Sequence, residues 1–131
     1  MKHLKVFVIL FLCTSINACK KHQPEPAREV TIQILSPVSG SEYDANDTVW
    51  LSAELRSNLD LERVNVSVNK LSNDSLIYRR STQSNGKSLN IREYFINHLN
   101  PHADLKLTIQ SSDKDGNETG KKQLNFHCHA H

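Results

Sequence analysis

Short segments in which apolar and polar residues alternate make up the chain from residue 30 onward. The clearest segment has apolar residues at every second position, namely Val49, Leu51, Ala53 and Leu55. A period of two places these side chains on one face of a β-strand, and no segment has the period of a helix. About seven such segments follow one another, at 30–34, 49–55, 61–68, 76–80, 89–95, 105–109 and 123–128. Short strands of this kind, with turn residues between them, predict an all-β sandwich.

Four motifs within these segments share a pattern with one family of domains. They are residues 34–37 (ILSP) followed by Gly40 and Tyr43, residues 49–53 (VWLSA), residues 64–68 (VNVSV) and the Asp-rich turn at 109–117 (IQSSDKDGN). In this pattern the chain resembles the bacterial Ig-like domains of envelope proteins, over about residues 30–126. The resemblance implies an Ig-like antiparallel β-sandwich over 30–131, and the alternating inward positions predict that its core includes Leu51, Val66, Leu107 and Phe126. It specifies function poorly, because such domains act as adhesins, spacers and ligand modules alike.

Residues 1–18 have the order of an export signal, with Lys2 and Lys5 before the apolar run 6–12 (VFVILFL). That run is shorter than the roughly 20 residues that span a bilayer. Residues 16–19 (INAC) resemble the lipobox of bacterial lipoproteins, which implies cleavage before Cys19 and a lipid anchor on Cys19. Residues 19–29 then form a tether. Lys20, where inner-membrane lipoproteins carry Asp, favours the outer membrane by the same resemblance. The alternative is an ordinary secreted protein cut near Ala18.

The charge of the chain excludes one class of partner. The sequence has 16 Lys and Arg against 14 Asp and Glu, and loss of Lys2 and Lys5 with the signal leaves the two signs equal. A balanced surface has no basic footprint for nucleic acid, so membrane contact has to come from lipid. Cys128 is the one cysteine of the predicted domain, which therefore has no internal disulfide.

The C-terminus, residues 126–131 (FHCHAH), carries the sharpest chemical pattern. If Phe126 points into the core, alternation places His127, His129 and His131 on the outer face of the last strand. A hairpin at residues 115–116 would bring this face beside the outward residues of the preceding strand.

His129 is then expected opposite His102 or Asp104, and His127 opposite Asp104 or Lys106, with His98 an outlier. His102, Asp104, His127, His129 and His131 are therefore the predicted ligands of a transition metal, zinc or copper, both of which imidazole suits. The alternative is an exposed tail with fortuitous histidines. Cys128 follows Phe126 inward and is expected to be a small core residue rather than a ligand.

Two further features admit more than one interpretation. Asp113, Asp115 and Asn117 have the spacing that opens a calcium loop, but Gly116 stands too early and no late Glu follows. A hairpin turn with positive φ at Gly116 and Asn117 is the favoured interpretation. Trp50 is expected to face outward under a neighbouring loop, with sugar stacking or a partner contact as the alternative.

No nucleophile elbow, phosphate loop or working carboxylate pair is present, so the sequence predicts a protein that is not an enzyme. The favoured function is a lipid-anchored Ig-like binding module of the cell envelope that captures zinc or copper. The alternative is a structural or adhesive accessory lipoprotein that presents its surface to a protein or glycan partner.

Replacing the predicted lipid acceptor tests the anchor. Cys19→Ser should move the protein from the membrane fraction to the soluble fraction of a Gram-negative host, because the acyl chains are its membrane contact. Fractionation and incorporation of labelled fatty acid measure the effect. A wild-type chain that takes up no label, together with a variant that still sediments with membranes, would refute lipidation.

Overall fold

The computed structural model describes Pro24 and residues 26–131, and all regular structure in this part of the chain is β-strand. The strands in chain order are β1 Val30–Ser36, β2 Glu42–Tyr43, β3 Thr48–Ser57, β4 Arg63–Lys70, β5 Leu76–Gln83, β6 Ser88–Ile96, β7 Ala103–Ser112 and β8 Glu118–Cys128. Seven of them coincide with the predicted segments, and β2 is an addition. The predicted signal, Cys19 and most of the tether lie outside the described residues. Within the described residues, no helix is long and apolar enough to span a membrane.

The strands form two sheets that pack face to face. One sheet has three strands in the order β1-β3-β6, and the other has five in the order β2-β8-β7-β4-β5. Neighbours are antiparallel except β2, which runs parallel to β8 through Glu42 opposite His127 and Tyr43 opposite Cys128. The predicted Ig-like β-sandwich is therefore confirmed, with the correction that one short pair is parallel.

The inward faces of both sheets supply one apolar core. The predicted core residues Leu51, Val66, Leu107 and Phe126 are all buried, with 3% or less of their surface exposed. Each belongs to a strand in which buried residues alternate with exposed or half-buried ones, as in β3 and β7. Burial of these alternating side chains is the main driving force for pairing the two sheets.

Trp50 faces outward on β3 as expected, but the expected loop does not cover it. The residue keeps 43% of its surface exposed, and its ring centroid lies 5.2 Å from that of Tyr94 on the neighbouring strand β6. The contact comes from strand register, since Trp50 and Tyr94 are direct partners across the β3–β6 pair.

The two sheets also meet at their lateral edges. At one edge the Tyr78 hydroxyl of β5 donates a hydrogen bond to Glu93 of β6 at 3.1 Å, and burial followed by this bond raises the pKa of Tyr78. At the opposite edge Gly120 of β8 lies against Val30 of β1. A Cβ at Gly120 would stand 2.9 Å from the Val30 Cβ, so the absence of a side chain sets how closely the edges approach.

The predicted hairpin joins β7 to β8, and its turn is built around Asp113. The Asp113 carboxylate accepts hydrogen bonds from the backbone amides of Asp115 and Asn117, each at 2.9 Å, and from the Asn117 side chain. The Asn117 side-chain bond is the main cause that lowers the pKa of Asp113. Gly116 has the expected positive φ of 87°, whereas Asn117 is not in the left-handed region. These bonds occupy the carboxylate with the turn itself, which supports the hairpin interpretation over a calcium loop.

Gly120→Ala should destabilise the domain by about 1–3 kcal/mol, because the new methyl group has to displace the Val30 Cβ and the Ser111 hydroxyl. Gly86→Ala is the matched control, since a Cβ there would meet nothing closer than 4.0 Å. Urea denaturation of both variants measures the difference in free energy of unfolding. Equal stability of the two variants would contradict the close approach of β8 to β1.

Candidate functional site

The predicted metal ligands lie where β7 begins and β8 ends. His127 stands directly opposite Asp104 across the antiparallel pair, as one of the two predicted registers requires. The His127 Nδ1 and Asp104 Oδ1 atoms are 2.7 Å apart, a short hydrogen bond on the outer face of the sheet. The hairpin register therefore brings the first imidazole and the predicted carboxylate into direct contact.

The short strand β2 adds a residue that the sequence reasoning did not include. The His127 amide donates to the Ser41 carbonyl at 2.9 Å and the His129 amide to the Tyr43 carbonyl at 2.8 Å, which holds the end of β8 against β2. Glu42 thereby comes beside His129, with 3.2 Å between the Glu42 carboxylate and the His129 Nε2 atom. Glu42 is therefore a second carboxylate of the candidate site, in addition to Asp104.

Two further imidazoles adjoin that of His127 at this end of the domain. The ring centroids of His127 and His129 are 4.7 Å apart, and those of His102 and His127 are 5.6 Å apart. Two imidazoles that bind one tetrahedral ion, with nitrogen–metal distances of about 2.0–2.1 Å, have centroids about 5 Å apart. The spacings from His127 to its two neighbours, His102 and His129, thus each suit an ion shared by a pair of rings. We call these three residues the histidine cluster.

His131 does not join the histidine cluster. Its ring lies parallel to that of His98 with centroids 6.4 Å apart, and its Nε2 atom is 2.9 Å from the Asn46 Oδ1 atom. The prediction placed His131 on the same face by strand alternation, but β8 ends at Cys128 and alternation ends with it. His98, predicted as an outlier, is its partner instead.

The ring nitrogen atoms of the histidine cluster do not converge on one position where a metal ion could bind. Among the described residues, no three His, Cys, Asp or Glu side chains stand in a geometry that could hold a metal ion. Binding would require the exposed rings to turn about their side-chain bonds. An open groove of about 490 Å³, lined in part by Glu42, Asp104, His127 and His129, gives the two last rings that room.

Cys128 is a core residue, as its inward position predicted. Its side chain is fully buried, and burial is the main cause that raises its pKa to about 11, with the charge of Asp47 adding to it. A metal-binding cysteine has to be a thiolate, and burial disfavours the thiolate here. Cys128 therefore stabilises the site by packing beneath it and is not one of its ligands.

A buried amide, Asn97, fixes the backbone around the histidine-bearing end. Its Nδ2 atom donates hydrogen bonds to the carbonyl oxygens of Asp44 and His129, both at 2.9 Å, and its Oδ1 atom accepts one from the Leu99 amide. The Asn97 backbone exchanges two more bonds with the loop at Asn46 and Asp47. The Asn97 side chain therefore connects the segment after β6 to the loop after β2 and to residues 129–131 after β8, which we call the histidine tail.

Asn97 and Glu42 were not found by sequence reasoning. Asn97 is a polar residue after the end of β6, and nothing in its pattern distinguishes it from exposed asparagines such as Asn90. Glu42 lies on a strand of two residues, too short to show alternation. Long-range contacts place both residues, so no local sequence signal could have indicated them.

Comparison with known proteins supports the fold alone. No family model matches the chain, and no curated protein is significantly similar to it. The structure is similar to a Niemann-Pick type C2 protein from the Japanese carpenter ant, with a TM-score of 0.52 and 8% identity over 76% of this chain and 89% of that chain. Spo0M, a sporulation control protein from Bacillus subtilis, has a TM-score of 0.46 and 9% identity over 80% of this chain and 50% of that chain. The first similarity agrees with a β-sandwich.

Asn97→Ala should destabilise the domain by about 1–3 kcal/mol, because the carbonyl groups of Asp44 and His129 would lose the donor that the buried amide provides. The loss should be largest around the histidine tail, where hydrogen exchange of the His129 amide should accelerate. Asn90→Ala, at an exposed asparagine of the same strand region, is the matched control and should change little. Unchanged exchange at the tail in Asn97→Ala would show that the buried amide does not hold it.

Proposed function

We propose that this chain is a lipid-anchored Ig-like binding module of the cell envelope that captures a transition metal ion through its histidine cluster. The observation that carries the proposal is the adjacency of three imidazole rings, with centroids 4.7 Å and 5.6 Å apart, beside two carboxylates. Histidine and carboxylate side chains together are the usual protein ligands of zinc and of copper.

Asp104 has a definite part in this arrangement. A carboxylate that accepts a hydrogen bond from Nδ1 of an imidazole fixes the ring tautomer and leaves Nε2 as the electron-pair donor. The 2.7 Å contact between His127 and Asp104 has this form. Asp104, first predicted as a ligand, is therefore better suited to orient the His127 ring than to bind the ion itself.

Glu42 and His129 form the second carboxylate–imidazole contact of the site. The bond lies on Nε2 of His129, so Nδ1 of that ring is available to an ion. With His102 the cluster offers three nitrogen ligands, and Glu42, bonded to the other nitrogen of His129, is suited to orient that ring rather than to bind the ion. Zinc fits such a set, and Cu(II) binds nitrogen ligands more tightly than other divalent ions of its row do.

The membrane anchor is the other half of the proposal. It rests on the resemblance of residues 16–19 to a lipobox, with the acyl chains on Cys19 and the outer membrane as the favoured location. The tether to residue 29 would hold the domain at a short distance from the bilayer. A module of this kind would collect ions at the envelope without catalysing a reaction.

An accessory lipoprotein that presents its surface to a partner is the second candidate function. One observation favours it, the exposed pair of Trp50 and Tyr94 on the three-stranded sheet. That face lies on the sheet that does not contain the histidine cluster, so the two functions are compatible.

Calorimetric titration of the full chain, purified without a tag, with zinc or Cu(II) tests the metal proposal. The wild type should bind one ion, and replacement of His102, His127 and His129 together by Ala should abolish binding. Asp104→Asn should lower the affinity about 10–100-fold, because it loosens the His127 ring. Binding should weaken as the pH falls, since protons compete for the same nitrogen atoms.

His98 and His131 provide the matched control, because they form a separate imidazole pair in the same part of the domain. Replacing both by Ala removes two histidines and should leave the affinity within about twofold of the wild type. Equal loss in the two multiple variants, or a wild-type affinity no better than millimolar, would refute the assignment of the site to the histidine cluster.

A further inference from the structure

Two strand edges without a neighbouring strand face each other along one side of the sandwich. β1 is the last strand of the three-stranded sheet, and β8 has β2 beside it only at residues 127–128. The two edges approach closely at Gly120 and Val30. Farther along, an open space of about 960 Å³ lies between them, lined in large part by residues 31–35, 37–39 and 122–125. We call this space the edge gap.

β1 directs half of its backbone groups into the edge gap. The Glu29 carbonyl accepts a hydrogen bond from the Asn58 amide, so the backbone of residue 29 faces the end of β3. Because backbone groups alternate in direction along a strand, those of Val30, Ile32 and Ile34 face away from β3. Among the described residues, no backbone group pairs with them on that side.

β8 presents unpaired backbone groups from the other side of the edge gap. The Asn125 carbonyl accepts a hydrogen bond from the Gly40 amide on the side away from β7. By alternation the backbone groups of Lys121 and Gln123 have the same direction, and no described backbone group pairs with them there. An edge of this kind is a template for strand pairing, above all with a second copy of the chain, which carries the same edge.

Lys122 lies in the middle of this edge, on the row of β8 that faces the other sheet. It stands directly opposite Ile109, which is fully buried, and the row continues with Leu124 opposite Leu107. The Lys122 side chain is exposed because it lines the edge gap instead of the closed core. A lysine therefore occupies a position where alternation would place an apolar residue.

The charge of Lys122 has no partner within the described part of the chain. Lys122 forms no ion pair there, whereas its neighbour Lys121 lies 3.9 Å from Glu118. The residues that line the edge gap include neither Asp nor Glu. Ion pairing therefore does not explain why a lysine stands on the inward row.

From this geometry we propose that Lys122 keeps the domain monomeric by preventing a second copy of the chain from pairing at the edge gap. A strand added to β8 would extend the sheet over the gap and enclose the Lys122 side chain. The ammonium group would then lose its water without gaining a counter-ion, which opposes pairing. In a symmetric pair of β8 edges the two Lys122 charges would also repel each other. Inward-pointing charges are one of the ways in which sheet edges are protected from association.

The mass of the protein in solution tests the proposal. The full chain, purified without a tag in an excess of mild detergent, is analysed by light scattering with absorbance and refractive-index detection, which separates protein mass from detergent mass. EDTA is present throughout, so that no metal ion can bridge two histidine clusters. The wild type should be monomeric, and Lys122→Leu should associate at a concentration lower than the wild type requires by about tenfold or more.

Lys121→Leu is the matched control. It removes the same charge from the adjacent position of β8, but its side chain lies on the outer face opposite Gln110, so it should remain monomeric. Lys122→Glu restores a charge of the opposite sign in the edge gap and should also remain monomeric. Lys122→Gln keeps a polar side chain without the charge and should associate more than the wild type and less than Lys122→Leu. Circular dichroism checks that each variant is folded, and Lys122→Gln carries the test if Lys122→Leu does not fold.

Hydrogen exchange locates the contact in the associated variant. The edge amides of Ile32, Ile34, Lys121 and Gln123 should exchange more slowly in associated Lys122→Leu than in the wild type, because strand pairing occupies them. Association without this protection would place the contact on another surface and overturn the proposal.

The mass measurements can refute the proposal in three further ways. A wild type that is already dimeric would mean that Lys122 does not prevent pairing. Folded neutral variants of Lys122 that stay monomeric would show that its charge is not the barrier. Equal association of Lys121→Leu and Lys122→Leu would mean that the loss of any surface lysine has the same effect. Because EDTA is present in every sample, none of these results depends on the outcome of the metal titration.

Discussion

Apolar contact between two sheets determines where everything else in this domain can lie. The described residues contain no disulfide, and Cys128, the one cysteine among them, is buried in the core. Burial of side chains such as Leu51 and Leu107 therefore has to hold the sandwich together. Because the period of a strand is two, this burial assigns every other residue of each strand to the outside. The chemistry of both outer faces follows from that assignment.

The same constraint explains which parts of the site the sequence could predict. Alternation in β7 and β8 predicted that Asp104 and His127 face outward, and a hairpin between the two strands predicted that they are neighbours. Both expectations depend on apolar periodicity and a turn, which are local properties. The 2.7 Å contact between the two side chains is therefore a direct consequence of a readable pattern.

The remaining parts of the site depend on contacts between segments that are distant in sequence. His129 lies one residue beyond β8, and its position comes from its backbone bond to Tyr43 and from the buried Asn97 amide. His131 lies farther along, where Asn46 and His98 determine its orientation. Neither periodicity nor residue type could have separated these two histidines. The exposure of Trp50 could not be predicted for the same reason, because coverage of an outward side chain by a loop depends on contacts between segments that are distant in sequence.

The buried position of Cys128 has a consequence for its reactivity toward disulfides. Thiol–disulfide exchange proceeds through the thiolate, and burial raises the pKa of Cys128 to about 11, so the unreactive thiol predominates at neutral pH. Steric exclusion adds to this, because an attacking disulfide would have to enter the core. Mixed disulfides with glutathione or with neighbouring chains can therefore form only when the end of β8 opens, so the rate of such cross-linking reports how often this part of the folded domain opens.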